Sequence, residues 1–309
     1  MSRRLWLPVV VAALLIAPAA PAQSAPALAL TTAGASQPAS QPDPCGRYGW
    51  GKAIPYVEVD HLPVVSGRLG NAERQFVVDT GAFGLVLQAA DATALGLPAG
   101  GGSADLRLGE LELRDLRYAV VPRYPAAAGG LGHAVYRDAI LRLDYRARTV
   151  TLFRAEQRAC LKPLLAGARA VAFRLPERGH ETTFAVAFGS AAGAPTASAF
   201  FDSGAWSKIS AELFDELRAA GLARAAGPAE AILSRLVIAA TPEPVVLDDV
   251  AVHVARPGSR EWQRKGNTAL QLGSRGLGDR CRAITVDYPA SLLYLDCPAS
   301  GHQKRPAKR

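Results

Sequence analysis

The sequence FVVDTGA occupies Phe76–Ala82, and the related sequence FFDSGA occupies Phe200–Ala205. In each, an apolar run typical of a buried strand ends in an aspartate, which is followed by a hydroxyl residue, glycine and alanine. One such tetrapeptide is weak evidence of a site, because Asp, Ser and Gly are ordinary turn residues. Two copies at equivalent places in one chain are far less expected by chance, so Asp79 and Asp202 are predicted to act together.

The segments that follow the two tetrapeptides have the same order. Each continues with an apolar stretch and a predicted helix, Ala89–Leu95 in the first half and Ser210–Ala220 in the second. Strands, a Gly-Leu-Gly sequence and a closing hairpin then follow in both halves. GGLG at 129–132 matches RGLG at 275–278, and the hairpin LRLDYRARTVTL matches AITVDYPASLLYL. An internal duplication explains all of these parallels.

The residues after each aspartate are suited to bringing two loops together. Gly81 and Gly204 allow a sharp turn and a close approach of the backbone. Thr80 and Ser203 carry hydroxyls that donate and accept, so they are expected to hold the two loops in register. Two carboxyls held close cannot both ionise readily, and they therefore share one proton. One can then act as general base on a water molecule while the other polarises a scissile carbonyl.

The chain resembles the retropepsin-like aspartic proteases, and is similar to bacterial exported aspartyl proteases whose two lobes lie in one polypeptide. The resemblance covers most of residues 54–298 and rests on the two tetrapeptides and on two Gly signals, Gly130-Leu131-Gly132 and Gly276-Leu277-Gly278. It implies an all-β fold of two pseudo-symmetric lobes with a few short helices, and catalysis without metal or cofactor. The catalytic pair would be Asp79 and Asp202. The supporting residues would be Thr80, Gly81, Ala82, Ser203, Gly204 and Ala205.

Alanine at positions 82 and 205 is the retroviral pattern of this family. It removes a hydroxyl that would donate to the carboxylate, which predicts a less acidic working range than that of pepsin. Phe83 and Trp206, the next residues, are candidates for lining substrate pockets, and packing in the core explains them equally well.

The segments at 98–103 (PAGGGS) and 225–230 are short where family members carry a Gly-containing hairpin flap. A short lid predicts poor exclusion of water and a weak grip on a peptide by strand pairing. This departure supports an alternative, in which a catalytically weak or inactive protein of this fold binds peptides or regulates a partner in the periplasm.

The four cysteines are Cys45, Cys160, Cys281 and Cys297. They form no CxxC pair and the histidines are dispersed, so the spacing of zinc ligands is absent and no metal site is predicted. An even number of cysteines in an oxidising compartment indicates disulfides. A hairpin that turns at Pro289 brings Cys281 opposite Cys297, which leaves Cys45 for Cys160. Four buried free thiols are the alternative.

Residues 1–22 have the pattern of a cleavable signal peptide. Arg3 and Arg4 precede the short apolar run Leu5–Ile16, and Ala20–Ala22 offers a small-residue cleavage site. SRRLWL also resembles a twin-arginine signal, although an ordinary Sec signal is favoured. No later run is long and apolar enough to span a bilayer, so no stable membrane insertion is expected after cleavage. These features predict a periplasmic or secreted protein.

The remaining chain divides into four predicted regions. Residues 23–52 are a flexible lead-in, 53–165 the first lobe, 166–298 the second lobe, and 299–309 a basic disordered tail. The lead-in would act as a removable propeptide if it covered the cleft.

Composition and charge limit the classes of partner that we expect for the protein. The 309 residues are 49% hydrophobic and 20% charged, as in a folded globular protein. The net charge of +8 is scattered outside the tail and forms no basic stripe with interleaved aromatics, so nucleic acid is not an expected partner. An internally duplicated site needs no second subunit, so a monomer is expected. The predicted function is an aspartic endopeptidase that cleaves exported or envelope proteins.

Overall fold

The computed structural model of the chain describes residues 45–175, 181–256 and 268–298. The predicted signal peptide, residues 23–44 of the predicted lead-in, and the predicted tail lie outside the described residues. Within the described ranges, no helix is both long and apolar enough to cross a membrane. The described chain is mostly strand, with only short helices.

The element bounds of the two halves are as follows. The strands of the first half are β1 (Ala53–Val59), β2 (Leu62–Leu69), β3 (Ala72–Val78), β4 (Leu85–Gln88), β5 (Gly102–Leu108), β6 (Leu111–Val121), β7 (Gly129–Leu131), β8 (Ala139–Asp144) and β9 (Thr149–Arg154). The strands of the second half are β10 (Arg169–Ala172), β11 (Thr182–Phe188), β12 (Thr196–Trp206), β13 (Lys208–Ile209), β14 (Ala223–Ala225), β15 (Glu230–Ile238), β16 (Val245–Val254), β17 (Thr268–Arg275), β18 (Ala283–Asp287) and β19 (Leu292–Asp296). The α-helices are α1 (Ala89–Ala94), α2 (His133–Tyr136), α3 (Arg158–Leu161) and α4 (Ala211–Ala219). Short 3-10 turns cover Arg47–Gly49, Ala155–Gln157 and Lys162–Leu165.

Helix α4 shows how local sequence sets an element. The side chain of Ser210 caps its start by accepting the backbone N–H of Leu213 at 3.1 Å. Leu213, Phe214 and Leu217 lie on one face and are buried, which is the spacing of an amphipathic helix. Gly221 follows the helix with a φ of +70°, a conformation that favours glycine. The predicted helix is therefore confirmed to within a residue at each end.

The same strand pairings occur in both halves. β3 pairs antiparallel with β2 and parallel with β7, and β12 pairs in the same two ways with β11 and β17. β4 lies antiparallel to β7 and parallel to β6, and β13 has the same relation to β17 and β16. The hairpins β5–β6 and β15–β16 are also equivalent. Each half therefore surrounds the strand that leads to its aspartate with the same set of partners, in a 7-stranded sheet in the second half and within a 12-stranded sheet in the first.

A third set of strands joins the halves. β18 pairs antiparallel with β8, so that the strand order β10-β19-β18-β8-β9-β1 draws on both halves. The hairpins β8–β9 and β18–β19 lie side by side in this sheet. Since backbone hydrogen bonds cross between the halves here, the sheet connects the two lobes.

The two disulfides are the pairs that the hairpin pattern favoured. Cys281 is bonded to Cys297 with Cα atoms 3.9 Å apart, and Cys45 to Cys160 with Cα atoms 5.8 Å apart. No free cysteine remains among the described residues. The alternative of four free thiols is therefore wrong.

Residues 45–52 correct one part of the predicted flexible lead-in. Cys45 is held by its disulfide to Cys160, and Gly51 donates its backbone N–H to the carbonyl of Leu152 at 2.7 Å. These contacts fix the end of the lead-in against β9. The composition of residues 45–52 does not reveal this anchoring, because the disulfide and the hydrogen bond both join them to residues more than 100 positions along the chain.

Candidate active site

The two aspartates occupy equivalent places at the ends of two strands. Asp79 directly follows β3, whose last residue, Val78, lies opposite Leu131 of the parallel strand β7. Asp202 lies near the end of β12, opposite Gly273 of the parallel strand β17. A residue at the end of a strand flanked on both sides is held rigidly, which suits a site that needs exact geometry.

The glycine that supports the second loop is Gly273, and the predicted signal Gly276-Leu277-Gly278 is wrong. Gly132 packs closely against the backbone of Ala82, and Gly273 packs in the same way against that of Ala205. A Cβ added to either glycine would overlap the carbonyl of that alanine. This shared close approach identifies Gly273 as the counterpart of Gly132. The Gly-Leu-Gly likeness misled because Gly276, with a φ of +115°, belongs to the turn beyond β17.

Four hydrogen bonds interlock the aspartate loops. The backbone N–H of Thr80 donates to Ser203 Oγ at 3.1 Å, and the N–H of Ser203 donates to Thr80 Oγ1 at 2.9 Å. The two hydroxyls then donate onward, Thr80 to the carbonyl of Phe201 at 3.2 Å and Ser203 to that of Val78 at 2.6 Å. Both side chains are 0% exposed. The structure therefore has the cross-loop bonds that were predicted for these two residues.

The carboxyl groups lie against each other's loops. A Cβ added to Gly81 would overlap the carboxyl carbon of Asp202, and one added to Gly204 would overlap that of Asp79. Each Oδ1 accepts the N–H of its own loop glycine at 3.0 Å. The predicted pair is thus brought together between the loops, with glycine required at both places by contact rather than by φ. Asp202 is buried and Asp79 is half-buried.

The Oδ2 oxygens have donors that sequence reasoning missed. The hydroxyl of Tyr124, in the loop between β6 and β7, donates to Asp79 Oδ2. Gln271 Nε2, in β17, donates to Asp202 Oδ2 at 3.0 Å and to the carbonyl of Trp206 at 3.4 Å. The reason given for a less acidic working range, that the carboxylates lack such donors, is therefore wrong. Neither residue carried a sequence signal: Tyr124 lies in a loop, and the counterpart of Gln271 in β7 is Gly130, which has no side chain.

Three neutral tyrosines surround the pair. Burial, reinforced by the charge on Asp79, raises the pKa of Tyr124 far above its ordinary value of 10.0. Burial also raises the pKa of Tyr136 and of Tyr288, with smaller contributions from the nearby acidic groups. The hydroxyls of Tyr136 and Tyr288 find no hydrogen-bond partner within the described residues. All three phenols therefore stay protonated across acidic and neutral pH.

The two pocket candidates differ in their surroundings. Phe83 is 70% exposed, so core packing does not explain it. Trp206 lines a cavity of about 200 Å³ together with Glu230, His253 and Arg275. The guanidinium of Arg275 lies 4.1 Å from the centre of its ring, and the His253 ring lies at 4.5 Å. The indole N–H donates to the carbonyl of Asp60, in the other half, at 3.1 Å.

The place of a flap is taken by other structure. Between β4 and β5 the chain forms α1 and a turn in which Gly101 donates to the carbonyl of Pro98 at 3.2 Å, and no strand pair occurs in residues 89–101. In the second half, β14 and β15 are joined by residues 226–229. The described part of the chain contains no group of three or more His, Cys, Asp or Glu side chains placed to hold a metal.

Comparisons with known proteins show the fold. No protein-family model matches the chain, and no curated protein matches it. The crystal structure of an aspartic proteinase from Irpex lacteus is similar to it, with a TM-score of 0.55 and 13% sequence identity over 80% of this chain and 97% of that one. At this identity the likeness concerns the fold alone. The chain has the all-β, two-lobed fold of an aspartic proteinase.

Proposed function

We propose that the protein is an aspartic endopeptidase that hydrolyses peptide bonds in exported or envelope proteins. The observation that carries the proposal is the interlocked pair of loops, in which each of Asp79 and Asp202 packs against the glycine of the other. A peptidase dyad needs two carboxyls near enough to share one proton, and this packing supports that arrangement.

The reaction uses one water molecule held between the two carboxyls. The ionised carboxylate takes a proton from the water, whose oxygen forms a bond to the carbonyl carbon of the peptide. The protonated carboxyl donates its proton to the carbonyl oxygen as that oxygen becomes a hydroxyl. In the collapse of the tetrahedral intermediate, the C–N bond breaks and the proton gained by the first carboxyl passes to the leaving nitrogen. As the carbonyl forms again, a hydroxyl of the intermediate returns its proton to the second carboxylate. The dyad returns to its starting state with one shared proton.

The setting of the enzyme is part of the same proposal. Two disulfides support a periplasmic or secreted location, since such bonds persist in oxidising compartments. The matched strand pairings support an internal duplication and a place among the bacterial exported single-chain aspartyl proteases. Because one chain supplies both aspartates, the enzyme would act as a monomer on a peptide or protein substrate. Trp206 and Phe83 would contact that substrate.

The test is proteolysis by the purified chain without residues 1–22. The protein is incubated with unfolded proteins from pH 3 to 7, beside Asp79→Asn and Asp202→Asn prepared in the same way. Cleavage by the parent and none by either variant is the expected result. Equal cleavage by parent and variants would assign the activity to a contaminant and remove the proposal.

A second candidate function is peptide binding without cleavage. The observation that favours it is the absence of a hairpin flap in residues 89–101. If the parent protein binds unfolded peptides, as measured by fluorescence anisotropy, but leaves them intact at every pH, this second function replaces the first.

A further inference from the structure

We propose that Tyr124 and Gln271 are positioning residues of the dyad, which hold its two Oδ2 oxygens in place of the hydroxyls that Ala82 and Ala205 lack. The inference rests on the proposed function, because it assigns further residues to the same site. It identifies two residues far from the aspartates in sequence as part of the catalytic apparatus.

The hydrogen bonds on the carboxyls show what the two residues add. Each Oδ1 is held by the N–H of the same loop, a bond that leaves the plane of the carboxyl free to turn. The final torsion of an aspartate is broad, so one bond does not define its orientation. The second donor, on Oδ2, comes from Tyr124 for Asp79 and from Gln271 for Asp202. Two donors on two oxygens fix the plane in which each carboxyl meets a water molecule.

The two donors reach equivalent points by different routes. Gly130 lies opposite Val77 in the first half, and Gln271 lies opposite Phe200 in the second, which makes Gly130 and Gln271 counterparts. In the second half the donor is the side chain of the residue at this position, Gln271. In the first half the position is glycine, and an added Cβ there would overlap the hydroxyl of Tyr124. The missing side chain at Gly130 thus leaves the room that the Tyr124 hydroxyl fills.

The loop that carries Tyr124 is held in place by the contacts of that side chain. Residues 122–127 take part in no backbone hydrogen bond within the described structure. The ring of Tyr124 packs beside the buried side chains of Leu62, Val64 and Val77. Gln271 is held differently, because it is a residue of strand β17 and only 1% exposed. The donor on Asp79 is therefore set by packing and that on Asp202 by a strand.

The electrostatic consequence concerns the pH range of activity. The titratable groups around Asp79 are Asp202, Tyr124, Tyr136 and Tyr288, and the tyrosines stay neutral because burial raises the pKa of each. Their donors are thus present at every pH where the enzyme would work. A hydrogen bond to an ionised carboxylate favours the ionised form, so its removal should move activity to higher pH.

The experiment measures kcat and KM against pH for Tyr124→Phe and Gln271→Met. Tyr118→Phe is the matched control for the first, since Tyr118 is a buried tyrosine of the same half whose hydroxyl donates to the carbonyl of Pro98, at 3.4 Å. Gln88→Met is the control for the second, since its amide donates at 2.6 Å to Asp91, outside the site. Thermal unfolding is recorded for all four.

Both site variants should move the acid limb of the kcat/KM profile upward by about one pH unit or more and lower kcat with little change in KM. The two controls should leave the profile in place. An unshifted profile in Tyr124→Phe and Gln271→Met, with folding intact, overturns the proposal.

A second measurement separates this inference from the proposed function. Carbon-13 NMR of aspartate labelled at the carboxyl carbon, assigned with Asp79→Asn and Asp202→Asn, follows ionisation without any substrate. The dyad signals of Tyr124→Phe should change at higher pH than those of the parent. If the parent cleaves nothing, the proposed function fails, while this titration still decides the role of Tyr124: no difference from the parent rejects it.

Discussion

The substitution Thr80→Val tests whether the cross-loop bonds hold the lobes together. Valine keeps the shape of the side chain but removes its hydroxyl, which accepts the N–H of Ser203 at 2.9 Å and donates to the carbonyl of Phe201 at 3.2 Å. Two lost hydrogen bonds and a buried N–H without a partner together cost about 3 kcal/mol of the free energy of unfolding. For a chain of this size that lowers Tm by roughly 6–10 °C.

Thr182→Val is the matched control for this substitution. Thr182 is also 0% exposed, but its hydroxyl makes no hydrogen bond within the described residues. Replacing that hydroxyl by a methyl group removes a buried polar atom, so the variant should be more stable than the parent by about 1 kcal/mol. The same chemical change thus has opposite expected signs at the two positions.

The assay is equilibrium unfolding in urea of the disulfide-intact protein, followed by fluorescence. The midpoint should fall for Thr80→Val and rise for Thr182→Val, with equal slopes in all three proteins. Equal loss of stability in both variants would show that valine is simply tolerated poorly at these two positions. The hydrogen bonds between the loops would then contribute nothing measurable, which refutes the reasoning.

Three further predictions follow from the same structure. Gly81→Ala should abolish peptidase activity, because the new Cβ overlaps the carboxyl of Asp202; Gly100→Ala, where the added Cβ meets nothing within 4 Å, should leave activity intact in the same assay. Removing the disulfide Cys45–Cys160, which spans 115 residues, should lower the free energy of unfolding in urea by about 5 kcal/mol. Removing the hairpin disulfide Cys281–Cys297, which spans 16 residues, should lower it by about 3 kcal/mol, and an equal loss in the two variants would contradict the loop-entropy account. Raising the pH above about 10 should destabilise the fold by about 1.4 kcal/mol per pH unit for each of the three site tyrosines. Their raised pKa keeps them protonated in the folded state while the unfolded chain ionises, so the unfolded state binds fewer protons; urea midpoints that are unchanged between pH 8 and 11 would contradict this.

The amino-acid sequence by itself determined several elements and the two aspartates that the loops bring together. Apolar runs, turn residues and helix caps are local patterns, so the strands before Asp79 and Asp202, helix α4 and the disulfide-closed hairpin were all predicted. The repeated tetrapeptide also indicated which hydroxyls would cross between the loops. Each of these features depends on neighbours in the chain or on a pattern that occurs twice.

Only the tertiary structure decided what completes the site. Tyr124 lies 45 residues from Asp79, and Gln271 lies 69 residues from Asp202. Neither position is marked by a local pattern, because a hydrogen-bond donor is useful wherever the fold delivers it. The same holds for Gly273, whose role appears only when β17 is placed beside β12. Contacts between distant segments arise from strand register and packing, which a linear pattern does not contain.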